Sequence, residues 1–149
     1  MEYTFFYGSI IALWIIFGIC IYLRGLRLAH IIIGITTVAY SLVYEVILGE
    51  YFGLYYYITP EKSNLYIVLA GILVYPLLNI IYTIFLPEKI KPVLLYTGVW
   101  IIAMLLFEWA SLITKTVVLL RWMIFPWSLL TYIVTYLWVY LFYRHLKMI

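Results

Sequence analysis

The chain of 149 residues is 68% hydrophobic and only 10% charged, against roughly 45–50% and about 25% in an ordinary soluble domain. That balance excludes a water-soluble fold of this size and makes lipid the solvent for most of the chain. Nine Lys and Arg against six Asp and Glu leave a net charge of +3, and a single cysteine, Cys20, excludes an intramolecular disulfide. With His30 and His145 the only histidines, no Cys/His cluster is spaced for zinc or an iron–sulfur cluster, and no cofactor is expected.

A helix needs about 20 apolar residues to cross ~30 Å of hydrocarbon. Cutting the chain at its charges and its Pro/Gly clusters predicts an all-α, polytopic bundle of five spans in a single transmembrane domain, 1–149. The first span, 4–23, follows Glu2 rather than a basic run and has no small-x-small cleavage site, so it is expected to stay in the mature protein. The Arg24-Gly25-Leu26-Arg27 turn leads to the second span, 28–48, closed by Gly49-Glu50. The segment from Tyr51 to Asn64 holds Gly53, Pro60, Glu61 and Lys62 and reads as an interfacial loop. The third span, 65–86, ends at Pro87-Glu88-Lys89-Ile90-Lys91-Pro92; the fourth is 93–113; a short connector with Lys115 and Arg121 precedes the fifth, 122–143.

Basic residues divide unequally between the two ends of these spans. Arg24, Arg27, Lys89, Lys91, Arg144 and Lys147 share one side and Lys62, Lys115 and Arg121 the other. The richer side is expected to be cytoplasmic, which places the N-terminus outside and the C-terminus inside, in a cell membrane. The Tyr51–Tyr57 cluster then lies at the outer headgroup level.

Polar residues within the spans recur at helical spacing. Gly34, Thr37, Ser41 and Glu45 form one stripe; Gly71, Tyr75, Asn79 and Tyr82/Thr83 a second; Thr97, Met104, Glu108, Ser111 and Lys115 a third; Ser128, Thr131 and Thr135 a fourth. Such seams pack helices together or line a path between them. None is charged along its length, which argues against an open aqueous pore in one chain. Pro76, inside the third span, removes a backbone donor and is expected to kink the helix.

Glu45 and Glu108 stand apart, because a carboxylate at a span centre costs about 2.5–3.5 kcal/mol on insertion scales. Both lie within one or two turns of the outer end. The expectation is that they converge with Arg121, and with Lys115 at the rim, as an ionic network beneath the Tyr-rich loop. The candidate ion- or ligand-binding residues are therefore Glu45, Glu108, Arg121, Asn79, Ser41, Tyr75, Ser111 and Lys115, with no metal among the ligands. His30 and His145, both near cytoplasmic span ends, also allow a bis-histidine haem geometrically.

The order of features from Tyr40 to Tyr143 resembles an uncharacterised family of small five-helix membrane proteins of endospore-forming Firmicutes. It is carried by the acid Glu45, Gly53-Leu54-Tyr55-Tyr56-Tyr57, Tyr75-Pro76 with Asn79, the Pro87 turn, Phe107-Glu108-Trp109, and Trp122 with Ser128. The resemblance implies the five-span topology and a plasma or spore membrane of a Gram-positive cell, and no activity. Tyr57–Leu65, with Pro60-Glu61, is also similar to the Pro-Glu-Glu region of small membrane carotenoid cyclases, with Lys62 at the second acid's place. The functional expectation is a transport, channel or sensing component for an ion, proton or small solute. The alternatives are a non-catalytic accessory or structural subunit and an intramembrane lipid-modifying enzyme. The bilayer is the expected partner, together with a second copy or another membrane protein, and no nucleic acid.

Overall fold

The computed structural model describes residues 1–148. Its helices are α1 (Glu2–Arg24), α2 (Leu28–Glu45), α3 (Ser63–Leu73), α4 (Tyr75–Ile84), α5 (Ile90–Ile113) and α6 (Leu129–Met148), with two short strands, β1 (Tyr55–Tyr57) and β2 (Val117–Leu119). Wider π-type turns extend α2 through Val46–Tyr51 and lead into α6 through Ile124–Ser128, and a 3-10 turn, Pro60–Lys62, leads into α3.

These elements make five helical rods long and apolar enough to cross a membrane: Glu2–Arg24, Leu28–Tyr51, Pro60–Ile84, Ile90–Ile113 and Ile124–Met148. The second and third therefore reach further into the Tyr51–Asn64 segment than the charges and Pro60 indicated. The reason is that the π-type turn carries Gly49 and Glu50 inside the helix, while Pro60, needing no backbone donor, begins a turn rather than ending one.

The Pro60–Ile84 rod is the central one, with 67% of its apolar window buried against 17% for the rods containing α1, α5 and α6. It divides at Val74, with Pro76 in the first turn of α4. Proline has no N–H for the carbonyl of Ile72, so the ladder is interrupted where the sequence places the ring. α2 lies closest to this rod: a Cβ on Gly34 would come within 2.7 Å of Ile80 Cδ1, and one on Gly71 within 2.7 Å of Leu42 Cδ2. Two glycines thus set the approach of α2 to α3 and α4, as small residues do where helices pack without a solvent-driven force.

The outer surface is apolar. Ile15 is 59% exposed, Ile35 68%, Val99 60% and Leu137 55%, a distribution that contact with hydrocarbon stabilises and water does not. The Gly34, Thr37, Ser41 and Glu45 stripe, by contrast, is buried along its whole length.

The Tyr-rich segment and the Lys115–Arg121 connector are not irregular loops. They pair as an antiparallel ribbon with Tyr55 opposite Leu119, Tyr56 opposite Val118 and Tyr57 opposite Val117. Ile58 N–H donates to Thr116 carbonyl, and the N–H groups of Leu120 and Arg121 donate to Leu54 carbonyl, closing both ends of the ribbon.

Candidate functional site

Alternation along β1 puts Tyr55 and Tyr57 on one face and Tyr56 on the other. The first two are buried, at 7% and 5% exposure, under the end of α2. There Tyr55 donates to Oε2 of Glu45 at 2.7 Å, while Tyr57 and Tyr75 reach Oε1 at 3.1 and 3.0 Å. Tyr75 comes from the break between α3 and α4, which turns its ring toward α2. Burial, and then the charge of Glu45, pushes the hydroxyls of Tyr55 and Tyr57 well above the ordinary phenol range. Both tyrosines are therefore held as donors.

The second carboxylate is held differently. Ser128, at the start of the last rod, donates to Oε1 of Glu108 at 2.7 Å, and Tyr132 donates to Oε2 at 3.0 Å. Trp122 Nε1 in turn donates to Ser128 Oγ at 2.8 Å, so one directed chain runs Trp122 to Ser128 to Glu108. The ring of Trp122 meets that of Tyr55 edge to face at 6.2 Å, which joins the two carboxylate clusters.

Both carboxylates face one cavity of ≈ 170 Å³ beneath the ribbon. Every rod contributes to its wall, α1 through Phe5, Phe6 and Ser9. Of the residues expected at a site, Glu45, Glu108, Tyr75, Asn79, Ser41 and Ser111 all line this cavity. Asn79 donates to Thr37 Oγ1 at 3.1 Å and so clips α4 to α2; Ser111 donates to the carbonyl of Glu108 at 2.6 Å and stays within its own helix.

Arg121 and Lys115 do not join them. Both side chains are exposed, and among the described residues no Lys or Arg stands within ion-pairing distance of Glu45 or Glu108. The expected ionic network is replaced by a hydroxyl network. β2 ends at Leu119, and the N–H groups of Leu120 and Arg121 both donate to the Leu54 carbonyl in the bend that follows, so Arg121 lies past the strand with its side chain exposed. The haem geometry is likewise set aside, because His30 uses both ring nitrogens, one toward the Arg27 N–H and one toward Tyr143, while His145 is exposed. Glu61, in the segment similar to the carotenoid cyclases, is exposed and outside the cavity.

The residues not anticipated are Tyr55, Tyr57, Trp122, Ser128 and Tyr132 as direct or indirect partners of the acids. The period of two in Tyr55-Tyr56-Tyr57 was the available signal for the first pair. Trp122 and Ser128 lie six residues apart across a bent turn, for which neither helical nor strand spacing gives a pattern.

The cavity is closed toward the other end of the bundle. Ile33, Tyr82 and Val139, on α2, α4 and α6, are each 0% exposed, and they lie between the residues that line this cavity and those that line a second one at the opposite end. Tyr82 packs on Tyr136, Tyr96 and Trp100 with ring centroids 4.8, 5.3 and 5.7 Å away.

An all-helical bundle with five rods of membrane-spanning length and a cavity holding two carboxylates has the build of a small multi-pass membrane protein. Comparison with family models, with curated proteins and with solved structures finds no match to this chain.

Proposed function

We propose that this chain is a cell-membrane component that binds and exchanges a proton or a small cation at the Glu45–Glu108 cavity, in transport or sensing. The N-terminus and the ribbon face outward and the C-terminus faces the cytoplasm, in keeping with the distribution of basic residues. Membership of the five-helix Firmicutes family, with a plasma or spore membrane as its site, belongs to the same proposal and rests on the order of motifs from Tyr40 to Tyr143.

The observation that carries the reading is the triangle of oxygens formed by Glu45 Oε1, Tyr57 and Tyr75. Its edges are 3.1, 3.0 and 2.6 Å. Each tyrosine has one hydroxyl proton, so two protons serve three hydrogen-bonding edges. A third proton on Oε1 completes the ring, and its loss leaves one edge unserved. A cation at the carboxylate compensates that loss as well, since among the described residues no basic side chain does so. Intramembrane acids that face a cavity are the usual groups of proton and ion pathways.

The layer of Ile33, Tyr82 and Val139 supports a carrier or sensor over an open channel. Proteoliposomes containing a pH-sensitive dye, together with infrared titration of the carboxyl stretch, test the reading. The expected result is a carboxyl band that titrates and disappears in Glu45→Gln, with proton or cation movement above that of empty vesicles if the role is transport. Neither a titrating Glu45 or Glu108 band nor any flux overturns it.

A further inference from the structure

The second cavity, of ≈ 370 Å³, lies at the end of the bundle opposite Glu45, where α1 turns into α2 and α4 leads toward α5. Arg24, Arg27 and Lys147 stand on its wall with one acid, Glu88. All four side chains are exposed, while the floor is made by His30 and Tyr143, buried to 4% and 6% exposure.

The floor has a defined polarity. The Arg27 backbone N–H donates to Nδ1 of His30 at 3.1 Å. An N–H only donates, so Nδ1 is the bare nitrogen and Nε2 carries the ring proton. Nε2 then donates to the Tyr143 hydroxyl oxygen, 3.1 Å away, which leaves that hydroxyl's own proton for another acceptor. Two of the cations are laid along the walls rather than extended: Arg24 lies 5.5 Å over the Phe85 ring and Lys147 5.8 Å over the Tyr143 ring. Arg144 is occupied elsewhere, donating to the carbonyls of Pro87 and Glu88 and pinning the α4–α5 turn at the edge. Next to the opening, Leu23 and Leu28 are 64% and 71% exposed and offer an apolar flank.

We propose that this cavity binds a phosphate group, supplied by the headgroup of an anionic phospholipid or by free phosphate. Three cations against one carboxylate give the required sign, and a guanidinium fork matches two phosphate oxygens. A basic pocket between helix ends, beside an apolar flank, is the arrangement that holds a headgroup with its chains in the bilayer.

The test uses the full chain in neutral detergent. Native mass spectrometry compares retained phosphatidylglycerol with phosphatidylcholine, and calorimetry measures inorganic phosphate. The expected result is preferential retention of phosphatidylglycerol, reduced about fivefold for each charge removed in Arg24→Gln, Arg27→Gln and Lys147→Gln, and weakened by salt. Displacement of the lipid by inorganic phosphate identifies free phosphate as the source, and no displacement identifies the lipid. If Arg24→Gln or Arg27→Gln does not fold, Lys147→Gln alone, at an exposed position, is expected to show the fivefold loss. Absence of both phosphatidylglycerol preference and phosphate binding, or no change on removing these charges, overturns the proposal.

Discussion

The hydroxyl oxygens of Tyr57 and Tyr75 stand 2.6 Å apart, one on a ribbon and the other at a helix break, and both reach the same oxygen of Glu45. Neither residue is placed by the other's secondary structure. Their meeting makes Glu45 a three-body acceptor rather than one member of an ion pair, and it couples the ribbon to the central rod.

That coupling is measurable. Tyr57→Phe and Tyr75→Phe each remove one donor and leave the other on Oε1, so each is expected to cost about 0.5–1.5 kcal/mol. The double variant is expected to cost less than the sum, with an interaction energy of about 0.5–3 kcal/mol. Thermal unfolding of the four proteins in one detergent measures the cycle; strict additivity is the contrary result.

Glu45 itself separates charge from hydrogen bonding. Glu45→Gln keeps an acceptor for the tyrosines and is expected to preserve the fold while abolishing proton exchange. Glu45→Leu leaves the hydroxyls of Tyr55, Tyr57 and Tyr75 without their acceptor, with an expected cost of about 1–3 kcal/mol or more. Unfolding midpoints, read with the carboxyl infrared band, distinguish the two variants.

In the other cluster, Ser128 both accepts from Trp122 and donates to Glu108. Ser128→Ala breaks both bonds, so Trp122→Phe is expected to add little once Ser128 is gone, although alone it costs about 0.5–1.5 kcal/mol. Stability of the single and double variants checks the direction of the chain.

Stability is expected to fall at high pH. The Tyr55 and Tyr57 hydroxyls are raised by burial and by Glu45, whereas unfolded tyrosines ionise near pH ~10. Above that pH the unfolded chain has lost protons that the folded chain keeps, so unfolding becomes more favourable as pH rises. Below it the contribution is fully present. The slope of Tm against pH above about 10 is expected to be shallower in Tyr55→Phe and Tyr57→Phe, and an unchanged slope contradicts the assignment.

The approach of α2 to α4 rests on Gly34, whose added Cβ would lie 2.7 Å from Ile80 Cδ1. Gly34→Leu is expected to destabilise by about 1–3 kcal/mol. Gly98, with open space around it, is the matched control, and thermal unfolding in detergent compares the pair.

Hydropathy and helical spacing were enough to define five rods of membrane-spanning length, the break at Pro76 and the buried face of α2 from Gly34 to Glu45. Those properties depend on local solvent preference and on a period of 3.6 residues, and both are written along the chain. The partners of the two acids were not. Opposite charge pointed to Arg121 and Lys115, but the register of Tyr55–Tyr57 against Val117–Leu119 placed the two tyrosines over Glu45, while Lys115 and Arg121 lie in the turns flanking β2 with their side chains exposed. Register joins segments about sixty residues apart through backbone hydrogen bonds, which no local pattern encodes. The tertiary structure alone therefore decided that Glu45 and Glu108 are held by hydroxyl groups beneath a ribbon, in a cavity closed off from the basic end by Ile33, Tyr82 and Val139.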